Sequence, residues 1–245
     1  MATRQETATL RLRELILSGD YAPGEWLREK SVAEKLGISR TPARISMQIL
    51  EQEGLLKFFP NRGFRVTGFS LQQVTDAVDV RGTLEGMACR LVARNGLSAQ
   101  YRRKLEECIE LGRRIVSGSR LEEADTQKWS HLNREFHDTI VMLSQNHSIQ
   151  ETLTHNNRIP LASAGAITFF THRADLALPL LKEAQKDHEE IFDALTARDS
   201  GRAEHLMREH ARRSRDNKLF FLQDIKSNPI LEGVPGSKLV SIPRT

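Results

Sequence analysis

Leu36-Gly37-Ile38-Ser39-Arg40-Thr41-Pro42-Ala43-Arg44 is the stretch on which the first third of the chain turns. Gly37 is the usual C-terminal punctuation of a helix, here a short one over about Glu29 to Leu36. Ser39 is a good N-cap, and Pro42 falls in a first turn, where a missing N–H costs little. The helix it opens reaches about Glu53 and stops at Gly54. Ala43, Met47 and Leu50 share one face and point to a small core, leaving Arg40, Thr41, Arg44 and Gln48 on the other.

Outward from this pair, Leu12, Leu15 and Ile16 give a preceding helix, ended by Gly19-Asp20 and Pro23-Gly24. On the other side, Leu55–Phe59 and Phe64–Val66 read as two strands joined by the turn Pro60-Asn61-Arg62-Gly63. The order helix, helix, helix, hairpin is that of a winged helix-turn-helix, with its helix-turn-helix at about 31–50. Residues 39–50 hold two arginines and no acid. Such a helix can enter the major groove, where Arg pairs bidentately with guanine. Ser39 and Thr41, at the helix N-terminus, suit phosphate, and Arg62 at the turn tip suits the backbone or minor groove. On a lone helix two arginines would merely be solvated; the whole helix-turn-helix plus wing favours DNA.

Beyond Thr67-Gly68-Phe69-Ser70, which reads as a linker, the chain is helical almost throughout. Punctuation at Asn95-Gly96, Ser117-Gly118, Pro179 and Asp199-Ser200-Gly201 predicts helices over about 70–95, 98–117, 125–144, 148–174, 179–197 and 199–226. From Ser227 a Pro- and Gly-bearing stretch reads as an extended tail. The expected organisation is a mainly α chain: a winged helix-turn-helix over 3–68, an antiparallel all-helical bundle over 70–226, and a tail over 227–245.

The 245 residues have an ordinary charged fraction of 28% and a net charge of +4. That balance permits nucleic-acid binding without showing it. Residues 1–66 carry 11 Lys and Arg against 8 Asp and Glu. No run of apolar residues is long enough for a membrane span. The first residues lack a signal peptide's apolar core. Cys89 and Cys108 alone make no disulfide scaffold, so a cytoplasmic location is expected. A His-Glu-x-x-His pair, a Gly-x-Ser-x-Gly elbow and a glycine-rich phosphate loop are all lacking, which speaks against an enzyme.

All eight histidines lie in the second half. Three of them, on three predicted helices, fall on apolar stripes: His137 with Ile140 and Val141, His188 with Ile191, Phe192 and Leu195, His210 with Ala203, Leu206 and Met207. Asn133 sits one turn before His137. A lone histidine of this kind is usually a satisfied core residue; three together equally suit zinc, nickel or a similar metal with positions left for a carboxylate. Arg81 shares a stripe with Ala77, Leu84 and Ala88. Its partner is either Glu85, one turn on, or a ligand carboxylate. His131 and His205 sit among charged residues and read as solvated.

The segment Leu27–Arg44, continuing through Leu50-Glu51-Gln52-Glu53-Gly54-Leu55 and Pro60-Asn61-Arg62-Gly63, resembles the DNA-binding domain of GntR-family bacterial transcription regulators. That resemblance implies operator contacts by Ser39, Arg40, Thr41 and Arg44, a wing contact by Arg62 and Gly63, and a phosphate contact by Lys30. It also implies a homodimer on an inverted repeat of double-stranded DNA. Asn133-x-x-Phe136-His137, Asp187-His188-x-x-Ile191 and His210 resemble the FCD ligand-binding domain of the FadR branch. There the resemblance implies a divalent metal, zinc or nickel, on Asn133, His137, His188 and His210, holding a small carboxylic acid effector that Arg81 also contacts. No organic cofactor is implied. Asn133 stands where the commonest metal-binding version has Asp; it keeps an oxygen ligand and drops the charge. Asp76–Ala88, Phe136–Ile140 and Pro160–Ala166 are similar to vanillate-responsive repressors (VanR type) of that branch. This implies a repressor of a catabolic operon released by an aromatic acid such as vanillate; the same fold could instead sense an aliphatic acid or act as an activator. Ala162, Ala164 and Gly165 are small enough to leave room for a ring, or equally to let helices pack closely.

Overall fold

The computed structural model describes residues 3–166, 174–223 and 236–241. The chain divides into two compact units. One is Met1–Val74 with Arg158–Leu161 and Leu231–Thr245; the other is Thr75–Asn157 with Ala162–Ile230. Among the described residues no helix is long and apolar enough to cross a membrane.

In the first unit α1 (Arg4–Leu17) opens on a capping box, with Glu6 N donating to Thr3 Oγ1 at 3.2 Å and Thr3 N to Glu6 Oε2 at 2.7 Å. There follow β1 (Trp26–Leu27), α2 (Glu29–Leu36), α3 (Arg40–Gln52), β2 (Leu56–Phe59), β3 (Gly63–Val66) and β4 (Phe69–Ser70). Gly37 closes α2 in the left-handed region at φ 67°, and Ser39 occupies the N-cap of α3. The hydroxyl of Ser39 makes no cap bond, although the position is the expected one. The wing is antiparallel in the order β1-β3-β2. Gly63 begins β3 and is not confined to the turn: it pairs with Phe59 at φ 92°. A Cβ there would lie 2.9 Å from the Leu27 carbonyl oxygen, so this close approach of β1 requires glycine.

Two features of this unit depart from expectation. The stretch Thr67–Ser70 is no free linker, because Phe69 is buried and pairs with Val240 of β5 (Val240–Ser241), in parallel. The tail, expected to be extended, instead makes a 3-10 turn at Ser237–Leu239, held by Gly236 N donating to Leu17 O at 2.8 Å. Leu239 is fully buried among Leu12, Ile16, Met47 and Leu50. The apolar pair Leu239-Val240 supplies the driving force within Gly236–Ser241, whose other residues are glycine, serine and lysine. Positions 224–235 and 242–245 of the expected helix and tail lie outside the described residues.

The second unit is helical: α4 (Leu71–Asn95, entering from the first unit), α5 (Ala99–Val116), α6 (Glu123–Leu143), α7 (His147–Asn156), α8 (Ala174–Thr196) and α9 (Ser200–Gln223). α5 packs on α6 and α8, and α8 packs on α9. Gly86 lets α9 lie against α4, since a Cβ there would sit 3.1 Å from the Glu204 carbonyl oxygen. The helix expected over 148–174 ends at Asn156. Pro160 biases Ile159 away from helical backbone, and Leu161 has φ 67°. Residues 167–173 of that expectation lie outside the described residues. Pro179 lies inside α8 and does not open it.

Since Leu239 is wholly enclosed by the winged-helix core, Leu239→Ala is expected to cost about 2–4 kcal/mol of stability. Chemical unfolding of the full chain, followed by Trp fluorescence, checks this; an unchanged midpoint would mean that the tail adds nothing to the core.

Candidate functional site

On α3 the buried face is Ala43, Ser46, Met47 and Leu50. Gln5 Nε2 and Thr9 Oγ1 lie 2.9 and 3.1 Å from the Ser46 hydroxyl and tie α1 to this helix. Thr41, Arg44, Ile45 and Gln48 form the opposite, exposed face, with Ser39 and Arg40 exposed at its start. Arg44 Nε lies 3.5 Å from Glu29 Oε1, and Lys30 Nζ 3.9 Å from Glu34 Oε1. Both pairs are exposed and worth little, so these cations can exchange a carboxylate for a phosphate or a base. Arg62 is exposed in a turn that Asn61 and Gly63 shape with positive φ. Ile45, 41% exposed, was missed by the sequence reasoning. Its place four residues after Thr41 and three before Gln48 was the available signal.

In the second unit Arg81 and Glu85 come from α4, Trp129, Asn133, Phe136 and His137 from α6, Asp187 and His188 from α8, and His210, Arg213 and Lys218 from α9. The three expected histidines meet: their ring centroids lie 4.8–5.5 Å apart, and one nitrogen of each lies within 4.8 Å of the others. His188 stacks on Phe136 at 4.5 Å. His137 Nδ1 lies 2.9 Å from Glu85 Oε2, and His210 Nδ1 lies 3.1 Å from Asp187 Oδ2. A carboxylate accepts, so each Nδ1 carries a proton and Nε2 is the atom left to face a ligand. Arg213 holds Asp187 from behind through Nε at 3.0 Å and through its Nη2.

Four backbone carbonyls in the segment Ala162–Ala166 line up as acceptors. Arg81 Nη1 donates to Ala162 O at 2.6 Å, Asn133 Nδ2 to Ala164 O, Ser130 Oγ to Gly165 O at 2.6 Å, and Lys218 Nζ to Ala166 O at 2.9 Å. The backbone of this segment is a belt of acceptors, and Gly165 also permits a close approach, since a Cβ there would lie 2.8 Å from Arg134 Nε. Of the two partners expected for Arg81, Glu85 is present, with its Oε2 3.6 Å from Arg81 Nε.

Several buried polar atoms have no hydrogen-bond partner among the described residues: His137 Nε2, His188 Nε2, Asn133 Oδ1 and Arg81 Nε. Such orphans are costly and mark a site built for something else. Burial, with His210 and His137 nearby, pushes the His188 imidazole well below the usual range. Burial also lowers His210, against the opposing pull of Asp187. Burial would raise Glu85, but His137 and Arg81 outweigh it and keep it an anion. Neutral imidazoles with free lone pairs and an amide oxygen are the donor set of a divalent transition metal, so the residues present fit one. Beside them lies a cavity of about 40 Å³, lined among others by Arg81, Asn133, Asp187, His210 and Lys218. Lys218 was also missed. Burial, with Arg81 nearby, pulls its ammonium down to about 7. The signal was a lysine on the buried stripe Ala211, Ser214, Lys218.

Comparison with known proteins fits this geometry. Residues 4–66 match "Bacterial regulatory proteins, gntR family", and residues 76–213 match the FCD domain. The chain is 31% identical to an HTH-type transcriptional regulator in an unstable DNA locus of Streptomyces ambofaciens, over 86% of this chain and 83% of that one. It is 27% identical to the HTH-type transcriptional repressor GlaR of Escherichia coli K12, over 81% and 88%. The fold is that of E. coli McbR/YncC, with a TM-score of 0.62 and 22% identity over 92% of this chain and all of that one. The two sequence relatives are transcription regulators, not enzymes. A winged helix that presents an acid-free face, followed by a helical FCD domain, makes this chain a member of the GntR family of transcription regulators.

Proposed function

We propose that the protein is a homodimeric repressor that leaves an inverted-repeat operator when a small carboxylic acid binds in its helical unit. The observation that carries this is the set of inward-facing orphans on His137, His188 and Asn133, which the fold buries and leaves unsatisfied. The repressor role named for GlaR supports it. His137, His188, His210 and Asn133 would hold zinc or nickel, which when bound supplies a Lewis-acidic position for the effector's carboxylate. Glu85 and Asp187 keep the His137 and His210 lone pairs pointed at it. Arg81 offers its orphaned Nε to the same ligand.

On the DNA side, Arg44 reads guanine, and Ile45 beside it offers an apolar contact to a thymine methyl. Ser39, Thr41, Arg40, Lys30 and the wing residues Arg62 and Gly63 position the helix on phosphates. The belt supports the coupling. A carboxylate is a stronger acceptor than a neutral carbonyl, so an effector competes with Ala162–Ala166 for Arg81, Asn133 and Lys218. The chain just before the belt, Arg158–Leu161, belongs to the DNA-binding unit.

Arg44→Ala is expected to weaken binding to a duplex from the protein's own promoter by about 1–3 kcal/mol, and Ile45→Ala by about 1 kcal/mol, measured by fluorescence anisotropy at fixed salt. Unchanged affinity in Arg44→Ala would contradict the docking of α3.

Zinc chloride titrated into metal-free full-length protein should bind at one equivalent per chain and raise its melting temperature. His188→Ala should abolish that rise while the metal-free variant still binds the promoter duplex. An equal rise in the variant would remove His188 from the metal set.

A further inference from the structure

Around the orphaned imidazoles the buried charges nearly all close on one another. Glu85 is shared between Arg81 and His137, and Asp187 is held by Arg213 and His210. Lys218 is the exception. It is only 4% exposed, and among the described residues its ammonium has two neutral acceptors, Ala166 O at 2.9 Å and Ser214 Oγ at 3.3 Å, with no carboxylate at ion-pair distance. A cation taken out of water with only neutral acceptors is strongly unfavourable unless an anion joins it. Lys218 lines the same cavity as Asn133, Arg81 and His210. Asn217, Ser214 and Glu183 also line that wall, and the Glu183 carboxylate makes no ion pair with Lys218. The burial that depresses its pKa is the same missing counter-charge seen from the other side.

We infer that the effector is a short aliphatic acid with two anionic groups, the first seated at the imidazoles and the second on Lys218 Nζ. This rests on the proposed effector site. A dication on three neutral imidazoles and a neutral amide leaves two positive charges unmatched, and Lys218 adds one more. A monoacid would leave most of that buried charge without a partner, whereas a dianion answers both ends of the cavity. An aromatic monoacid such as vanillate brings one carboxylate and a ring, and offers Lys218 nothing that it lacks. In taking the second group, Lys218 exchanges the Ala166 carbonyl for a charged acceptor, which detaches the belt at its far end.

The test is calorimetric titration of zinc-loaded full-length protein with propionate, malonate, succinate, glutarate and inorganic phosphate. At least one diacid should bind about tenfold more tightly than propionate, and Lys218→Met should bring it to the level of propionate. Lys218→Arg, which keeps the charge, should retain the preference and guards against a folding defect in the Met variant. Diacids no tighter than propionate, a preference that survives in Lys218→Met, or tightest binding by phosphate would each overturn the inference while leaving a carboxylate site intact. Binding of none of the five probes, with or without zinc, would overturn the effector site itself along with it.

Discussion

Two buried hydrogen bonds, Glu85 to His137 and Asp187 to His210, set the state of everything around them. Each fixes a proton on Nδ1, so Nε2 is the ring atom left to face the inside. Without the carboxylates the tautomers would be free, and either nitrogen of each ring could carry the proton. The cost is two buried anions, and the chain meets it with two arginines, Arg81 and Arg213, drawn from α4 and α9. The helices are thus tied by charge at the same place where they are opened by a cavity. Gly82 and Gly86 belong to this logic, because they let α9 approach α4 closely enough for Arg81 and His210 to face one site.

The direction of the pKa shifts follows from this arrangement. His188 has no carboxylate behind it and lies beside two other imidazoles and an aromatic ring, so burial, reinforced by His210 and His137, keeps it neutral. Asp187 stays ionised, since the His210 and Arg213 hydrogen bonds outweigh burial. A metal ligand must offer a lone pair, and three imidazolium cations packed together would offer none and would repel one another.

Much of this was legible in the sequence, and for local reasons. Gly37, Ser39, Pro42 and Gly54 each carry a backbone requirement that acts within one turn, so the bounds expected for the two helices lie within about a residue of those observed. The three histidines could be assigned inward because the apolar stripe around each has helical period. What was not legible is contact made by the backbone or across long separations. The belt at Ala162–Ala166 acts through carbonyls, which every residue possesses, so its side chains say nothing of it. The pairing of Phe69 with Val240 joins residues some 170 positions apart with no pattern that selects one another. Lys218 was passed over because a lysine is normally read as solvent-facing, and only the packed stripe reveals that it is enclosed.

Asn133 shows how the belt also explains a sequence departure. Taken alone, Asn in place of the usual Asp reads as a weakened ligand. In the structure its Nδ2 donates to the Ala164 carbonyl, and a carbonyl can only accept. That bond settles which end of the amide faces the belt and leaves Oδ1 directed inward without a partner. An aspartate there would set a carboxylate oxygen against the carbonyl and add a third buried anion beside Glu85 and Asp187. Asparagine is therefore the residue that can hold the belt with one end while offering oxygen with the other. The lost charge falls on the same side as the unmatched Lys218: both leave the site more positive, and both shift the duty of neutralising it from the protein to whatever acid enters.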